Sequence, residues 1–87
     1  MTDLLFGAPT KRSVTIAGHE TSISLEPIFW QALEMAASED ALPLNALIAR
    51  IDAERLDAEG RGPNLTSALR QWLLIRAQAS TWGAKNA

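Results

Sequence analysis

From Ser13 to Leu25 the apolar positions of the chain alternate with polar ones. Val14 and Ile16 are flanked by Ser13, Thr15 and Ala17, and Ile23 and Leu25 are interleaved with Ser22 and Ser24. A period of two marks a half-buried strand, because successive side chains leave a strand on opposite faces. Gly18-His19 separates the two runs. Two β-rich runs split by two residues, glycine first, predict a hairpin closed by a type II′ turn. With Ala17 opposite Glu20, Ile16 faces Thr21 and Val14 faces Ile23. Val14, Ile16 and Ile23 then share one face, and Ser13, Thr15, Glu20, Ser22 and Ser24 share the other. A slip of one residue would send the apolar set to the polar side.

Beyond Leu25 the period lengthens. Glu26-Pro27 opens a helix, since a proline in the first turn lacks only an N–H that would have no partner there. Phe29, Ala32, Leu33, Ala36 and Ala37 mark one face of it, widened by Trp30, and Ser38-Glu39-Asp40 ends the pattern. Leu42-Pro43 starts a second helix with an apolar stripe of Leu44, Leu47, Ile48 and Ile51. It turns highly charged in IDAERLDAE and stops at Gly60. After the loop Arg61-Gly62-Pro63, Asn64 is a good N-cap for a third helix, LTSALRQWLLIRAQA, with Leu65, Leu69, Trp72 and Leu73 inward. The expected organisation is an N-terminal arm over residues 1–10, one domain over 11–79 and a tail over 80–87. The apolar Leu4, Leu5 and Phe6 of the arm suit docking on a partner; a frayed terminus is the plainer reading.

Composition narrows the class. The chain has 87 residues and no cysteine, which leaves one small domain without disulfides or thiolate metal sites. A single histidine, His19, argues against structural zinc. With hydrophobic residues at 47% the chain is too apolar for a disordered segment. Domains this small often need help to be stable, and association is the route left open, so a homodimer is expected. The net charge of −2 argues against a generally basic nucleic-acid coat while leaving room for a local basic patch. No stretch approaches the roughly 18–20 apolar residues of a membrane span, and the N-terminus lacks the basic start of a signal peptide. A cytoplasmic protein with no membrane partner is expected.

The order of strand, proline-started helix, short turn and apolar helix beginning near an asparagine resembles the ribbon-helix-helix family of the Arc and MetJ type. SISLEPIFWQALEMAA followed by LPLNALIARI carries the general resemblance. KRSVTIAGHETSISLEPIFWQAL, LNALIARIDAER and NLTSALR together are similar to a bacterial branch with an added third helix, over roughly residues 11–76. The resemblance implies a mostly α fold with a short β-ribbon and a dimer in which the strand pairs antiparallel with the same strand of a second chain. The ribbon would lie in the major groove of double-stranded DNA, in the service of transcription regulation. It also implies that the start of the second helix offers backbone N–H groups to phosphate.

The residues that would carry this role follow. On a ribbon strand Glu20 to Leu25, Ile23 and Leu25 point to the core, and Glu20, Ser22 and Ser24 point outward. Hydroxyls can donate to or accept from base edges but specify poorly alone, and these positions hold no lysine or arginine. An ordinary solvated sheet face is the competing reading of the serines. Glu20 either accepts from a cytosine amino group or repels phosphate. The phosphate site at the second helix maps to Leu44 and Asn45, with Pro43 where a capping serine or threonine is usual in the family; Asn45 serves either phosphate or a local helix-start hydrogen bond. Lys11 and Arg12, just before the hairpin, are the side-chain candidates for phosphate, or else solvated linker charges. Trp30 and Trp72 sit on helical stripes and read as core, His19 as a turn residue, and the charges from Arg50 to Glu59 as a solvated helix face. There is no nucleophile with a base and an orienting group, no phosphate loop and no metal-ligand cluster. Neither enzyme activity nor a cofactor is expected. The alternative function is a protein–protein interaction module on the same scaffold, working through the arm, the third helix or the ribbon edge.

Overall fold

The computed structural model describes residues 6–86, with side-chain surroundings for residues 6–80. Two strands, β1 (Thr10–Ile16) and β2 (His19–Leu25), are followed by three helices, α1 (Pro27–Glu39), α2 (Leu44–Glu54) and α3 (Leu65–Asn86). The strands form a two-stranded antiparallel ribbon. Leu4 and Leu5 lie outside the described residues; Phe6 is exposed. Thr10, assigned to the arm by sequence, is the first residue of β1.

The hairpin register differs from the one expected. Ile16 pairs with His19, Val14 with Thr21, Arg12 with Ile23 and Thr10 with Leu25, a shift of two residues. The turn is Ala17-Gly18 rather than Gly18-His19, and both residues have positive φ, 50° and 81°. That is the type I′ form, whose twist matches the flanking strands. A shift of two preserves side-chain parity, so the expected faces survive. Val14, Ile16, Ile23 and Leu25 are buried, while Ser13, Thr15, Glu20, Ser22 and Ser24 are exposed.

The buried face of the ribbon packs on the chain's own helices. Val14, Ile16, Ile23 and Leu25 belong to one core with Trp30, Leu33, Ala36 and Ala37 of α1, Leu47, Ile48 and Ile51 of α2, and Ala68, Leu69 and Leu73 of α3. The apolar face of the ribbon is therefore covered within the chain, without a second copy: α3, which adds an apolar face beyond the two core helices of the family pattern, completes the cover in cis. Phe29, Leu65 and Trp72, expected inward, are partly buried at the rim of this core.

Local chemistry sets the helix ends. Pro27 starts α1. At its other end Ala41 takes a left-handed φ of 54°, and the Leu42 and Ala41 amides donate to the Ala37 and Ser38 carbonyl oxygens at 2.8 and 3.1 Å. This double bond pattern is a Schellman cap, and it packs Leu42 against the core. α2 ends at Glu54 and does not run to Gly60. Asp57 organises the intervening loop instead: its carboxylate accepts from the Glu59 and Arg61 amides at 3.0 and 2.8 Å, and its own amide donates to the Arg61 carbonyl at 2.8 Å. An aspartate offering its backbone neighbours such bonds competes with continued helix. Asn64 caps α3, its side-chain oxygen accepting from the Ser67 amide at 2.8 Å. The helical backbone of α3 continues past Ala79 to Asn86, through the segment read as a tail.

Candidate functional site

The outward face of the ribbon is built from both strands. Residues with the parity opposite to Val14 and Ile23 are Lys11, Ser13 and Thr15 on β1 and Glu20, Ser22 and Ser24 on β2, and all six are exposed. They meet in cross-strand pairs: Lys11 with Ser24, Ser13 with Ser22, and Thr15 with Glu20. The face thus carries four hydroxyls and one charge of each sign. The sequence pattern puts Lys11 and Arg12 just before the hairpin, as phosphate candidates or else linker charges, and no cation at the outward positions Glu20, Ser22 and Ser24. Because β1 begins at Thr10, Lys11 is part of that ribbon, directly beside Ser24. The alternation that would have shown this is broken by Arg12, a charged residue at a core-parity position.

Lys11 and Arg12 are separated by the pleat. Arg12 pairs with Ile23 on the core side and reaches over α1, where its guanidinium lies 4.6 Å from the centre of the Trp30 ring and donates to a Glu34 carboxylate oxygen at 2.9 Å. The Trp30 indole N–H in turn donates to the Thr10 carbonyl at 2.8 Å. An arginine stem and plane covering an indole contribute packing as well as charge, so Arg12 braces the start of β1 against α1. Lys11 has no such duty in this arrangement and projects from the exposed face.

The N-terminus of α2 is the second part of the site. Pro43 occupies the N-cap, with extended backbone and no side-chain capping bond. The amides of the first turn, from Leu44 onward, are therefore left without a side-chain acceptor, and such orphan donors at the positive end of a helix favour an anion. Asn45 is exposed and Leu44 half-buried against the core. Asn45 stands in the first turn, not at the cap, so it adds a polar side chain beside those amides.

Charges elsewhere are absorbed by the scaffold. Arg70 joins α3 to the start of α1 through Glu26 at 3.1 Å, and Arg76 joins it to the end of α1 through Glu39 at 3.0 Å and Asp40 at 2.9 Å. Arg50 also reaches Asp40, at 3.1 Å. A hydrogen bond with its own backbone amide, then Arg70, holds the Glu26 carboxyl below its ordinary value. Arg76 does the same for Asp40. Trp30 is buried, as its stripe predicts, and His19 is exposed at the first position of β2. The side chain of Trp82 lies outside the described surroundings. Exposed apolar side chains interrupt the polar helical surface, among them Met35 on α1, and Leu74 and Ile75 on α3. No described helix is long and apolar enough to cross a membrane.

Comparison with known proteins agrees with this architecture. The model of the ribbon-helix-helix domain matches residues 9–77. Among solved structures the chain is similar to an uncharacterized protein from Bordetella pertussis Tohama I, with 33% identity and a TM-score of 0.75. That match covers 87% of this chain and 61% of the other, so the chain spans less than two thirds of the length of that relative. No curated protein matches it closely. A polar-faced ribbon, a proline-started helix and a second helix with an open N-terminus fall within the span of the matching domain, and the chain belongs to the ribbon-helix-helix family.

Proposed function

We propose that the protein is a homodimeric DNA-binding regulator that places its β-ribbon in the major groove. The observation that carries this reading is the exposed face of six polar residues on a ribbon whose other face is committed to the core. A two-stranded ribbon fits the major groove, and hydroxyl and amine groups are suited to base edges and phosphate oxygens. Lys11 supplies the phosphate contact at the ribbon, and the open amides at Leu44 and Asn45 supply the second. Arg12 is the weaker phosphate candidate, because contact would require release from Glu34. Ser22 and Ser24 face bases, and Glu20 accepts from a cytosine amino group or, failing that, weakens binding everywhere. The expected cytoplasmic location and transcriptional role follow from the same reading.

Enrichment of a bound sequence from a random duplex pool tests it. A recovered site with a twofold-related pair of half-sites supports a dimeric reader. A pool that stays random, at low salt as well as high, contradicts it.

The second reading is an interaction module, and exposed Met35, Leu74 and Ile75 favour it. Exposed apolar side chains on a small domain suit another protein better than they suit nucleic acid.

A further inference from the structure

Two apolar features stand open among the described residues. One is a groove of about 420 Å3 between α1 and α3, lined by Ala32, Met35 and Ala36 on one side and Leu73 and Ala77 on the other. Met35 is 57% exposed there. A groove of this size suits a short segment of a few side chains. The other feature is Phe6, fully exposed with a left-handed φ of 60°. Leu4 and Leu5 precede it in the sequence. An aromatic side chain carries about 150–250 Å2 of surface that can be buried, and its own chain buries none of it here.

The start of β1 fixes where this segment leaves the domain. The Trp30 indole N–H holds the Thr10 carbonyl at 2.8 Å and Glu34 holds Arg12 at 2.9 Å, both on one flank of α1. Ala32 and Ala36 each stand two residues from Glu34, about 200° around a helix of 3.6 residues per turn, so the groove opens on the opposite flank. Phe6 comes four residues before Thr10 and lies at most about 14 Å from it. The path over the outer face of a helix about 10–12 Å in diameter is roughly 16–19 Å. Phe6 thus falls short of the groove of its own chain. We infer that the groove between α1 and α3 receives Phe6, with Leu5 beside it, from a second copy of this chain, so that two copies exchange their N-terminal segments. The inference rests on the homodimer of the proposed function and is independent of DNA. Segment and groove belong to one sequence, so a twofold axis seats both segments at once in a closed, self-complementary contact. Neither belongs to the sheet, and the exchange leaves the strand edges free to pair.

Two measurements on the full chain decide it. The first is the dimer dissociation constant, from sedimentation, of the wild type, Phe6→Ala, Met35→Ala and the double variant. Phe6 and Met35 are both exposed and outside the core, so each single variant keeps the fold. Phe6→Ala should weaken the dimer by about tenfold or more, because each dimer loses two buried rings. The double variant should be weakened by clearly less than the product of the two single factors, the mark of residues in contact. A wild-type dimer that Phe6→Ala leaves equally tight overturns the exchange and leaves the homodimer standing. A wild type that stays monomeric removes the homodimer and the exchange with it. The second measurement is nuclear Overhauser spectroscopy on refolded mixtures of isotope-labelled and unlabelled chains. Contacts from the Phe6 ring of one copy to the Met35 methyl of the other are expected. Contacts confined to one chain, or none between these residues, overturn the inference.

Discussion

Ala17 and Ala41 both hold left-handed backbone, with φ of 50° and 54°, a region that strains any residue with a Cβ. Neither was legible in the sequence, because only glycine advertises positive φ. The turn was therefore placed one residue late, on Gly18-His19, and the cap of α1 at Ala41 left no mark at all. Ala41→Gly should stabilise the protein by about 0.5–1 kcal/mol, the relief of strain being partly offset by a freer unfolded chain. Chemical denaturation checks this, and a destabilised variant would mean that the Schellman cap is not as described. The side-chain faces, by contrast, were legible, because parity survives a shift of two. Leu25→Ala and Ile48→Ala should cost roughly 2–5 kcal/mol each as large-to-small changes in a packed core. Ser24→Ala, on the exposed face, should cost less than about 0.5 kcal/mol. The reverse order in equilibrium unfolding would invert the ribbon.

Helix starts were easier to read than helix ends. Pro27, Pro43 and Asn64 each announce a first turn through their own chemistry. The end of α2 was placed too late because IDAERLDAE is compositionally helical, whereas the stop depends on Asp57 bonding to amides up to Arg61 and on the return of the chain past Arg55. A Cβ at Gly62 would overlap the Arg55 carbonyl oxygen. Gly62→Ala should consequently destabilise by more than about 1 kcal/mol through backbone displacement, and a neutral result would show the loop to be adaptable. The junction of α1 with α3 should be sensitive to acid. Glu26 and Asp40 have carboxyl values lowered from 4.5 and 3.8, so their contribution is complete above those values and is lost as pH falls through the lower folded ones. Arg76→Met should reduce the stability lost between neutral pH and about pH 3, since Asp40 then loses the larger of the two arginine partners that lower it and keeps only Arg50. Equal acid losses in the two proteins would mean that Arg76 does not set the value of Asp40.

At the scale of the whole molecule, the family pattern conveyed the element order but not the division of labour between chains. Periodicity shows that a face is apolar without saying which helix covers it, and α3 proved to be the missing cover. Dimerisation accordingly rests on family membership and on exposed apolar side chains such as Leu74 and Ile75, not on an uncovered ribbon. A homodimer should show a thermal midpoint that rises with protein concentration, and a monomer in sedimentation at micromolar concentration would contradict it.

The central proposal, that the outward ribbon meets DNA, is tested most directly by titrating duplex DNA with the wild type and Lys11→Ala at two salt concentrations. Lys11 is the cation on the ribbon's exposed face, so its loss should weaken binding to a selected site and to random duplex alike. The salt slope should fall by about one for each phosphate contact removed, with one contact counted per subunit. A salt slope and affinity unchanged by Lys11→Ala, or no duplex binding by the wild type at the lower salt, would contradict it.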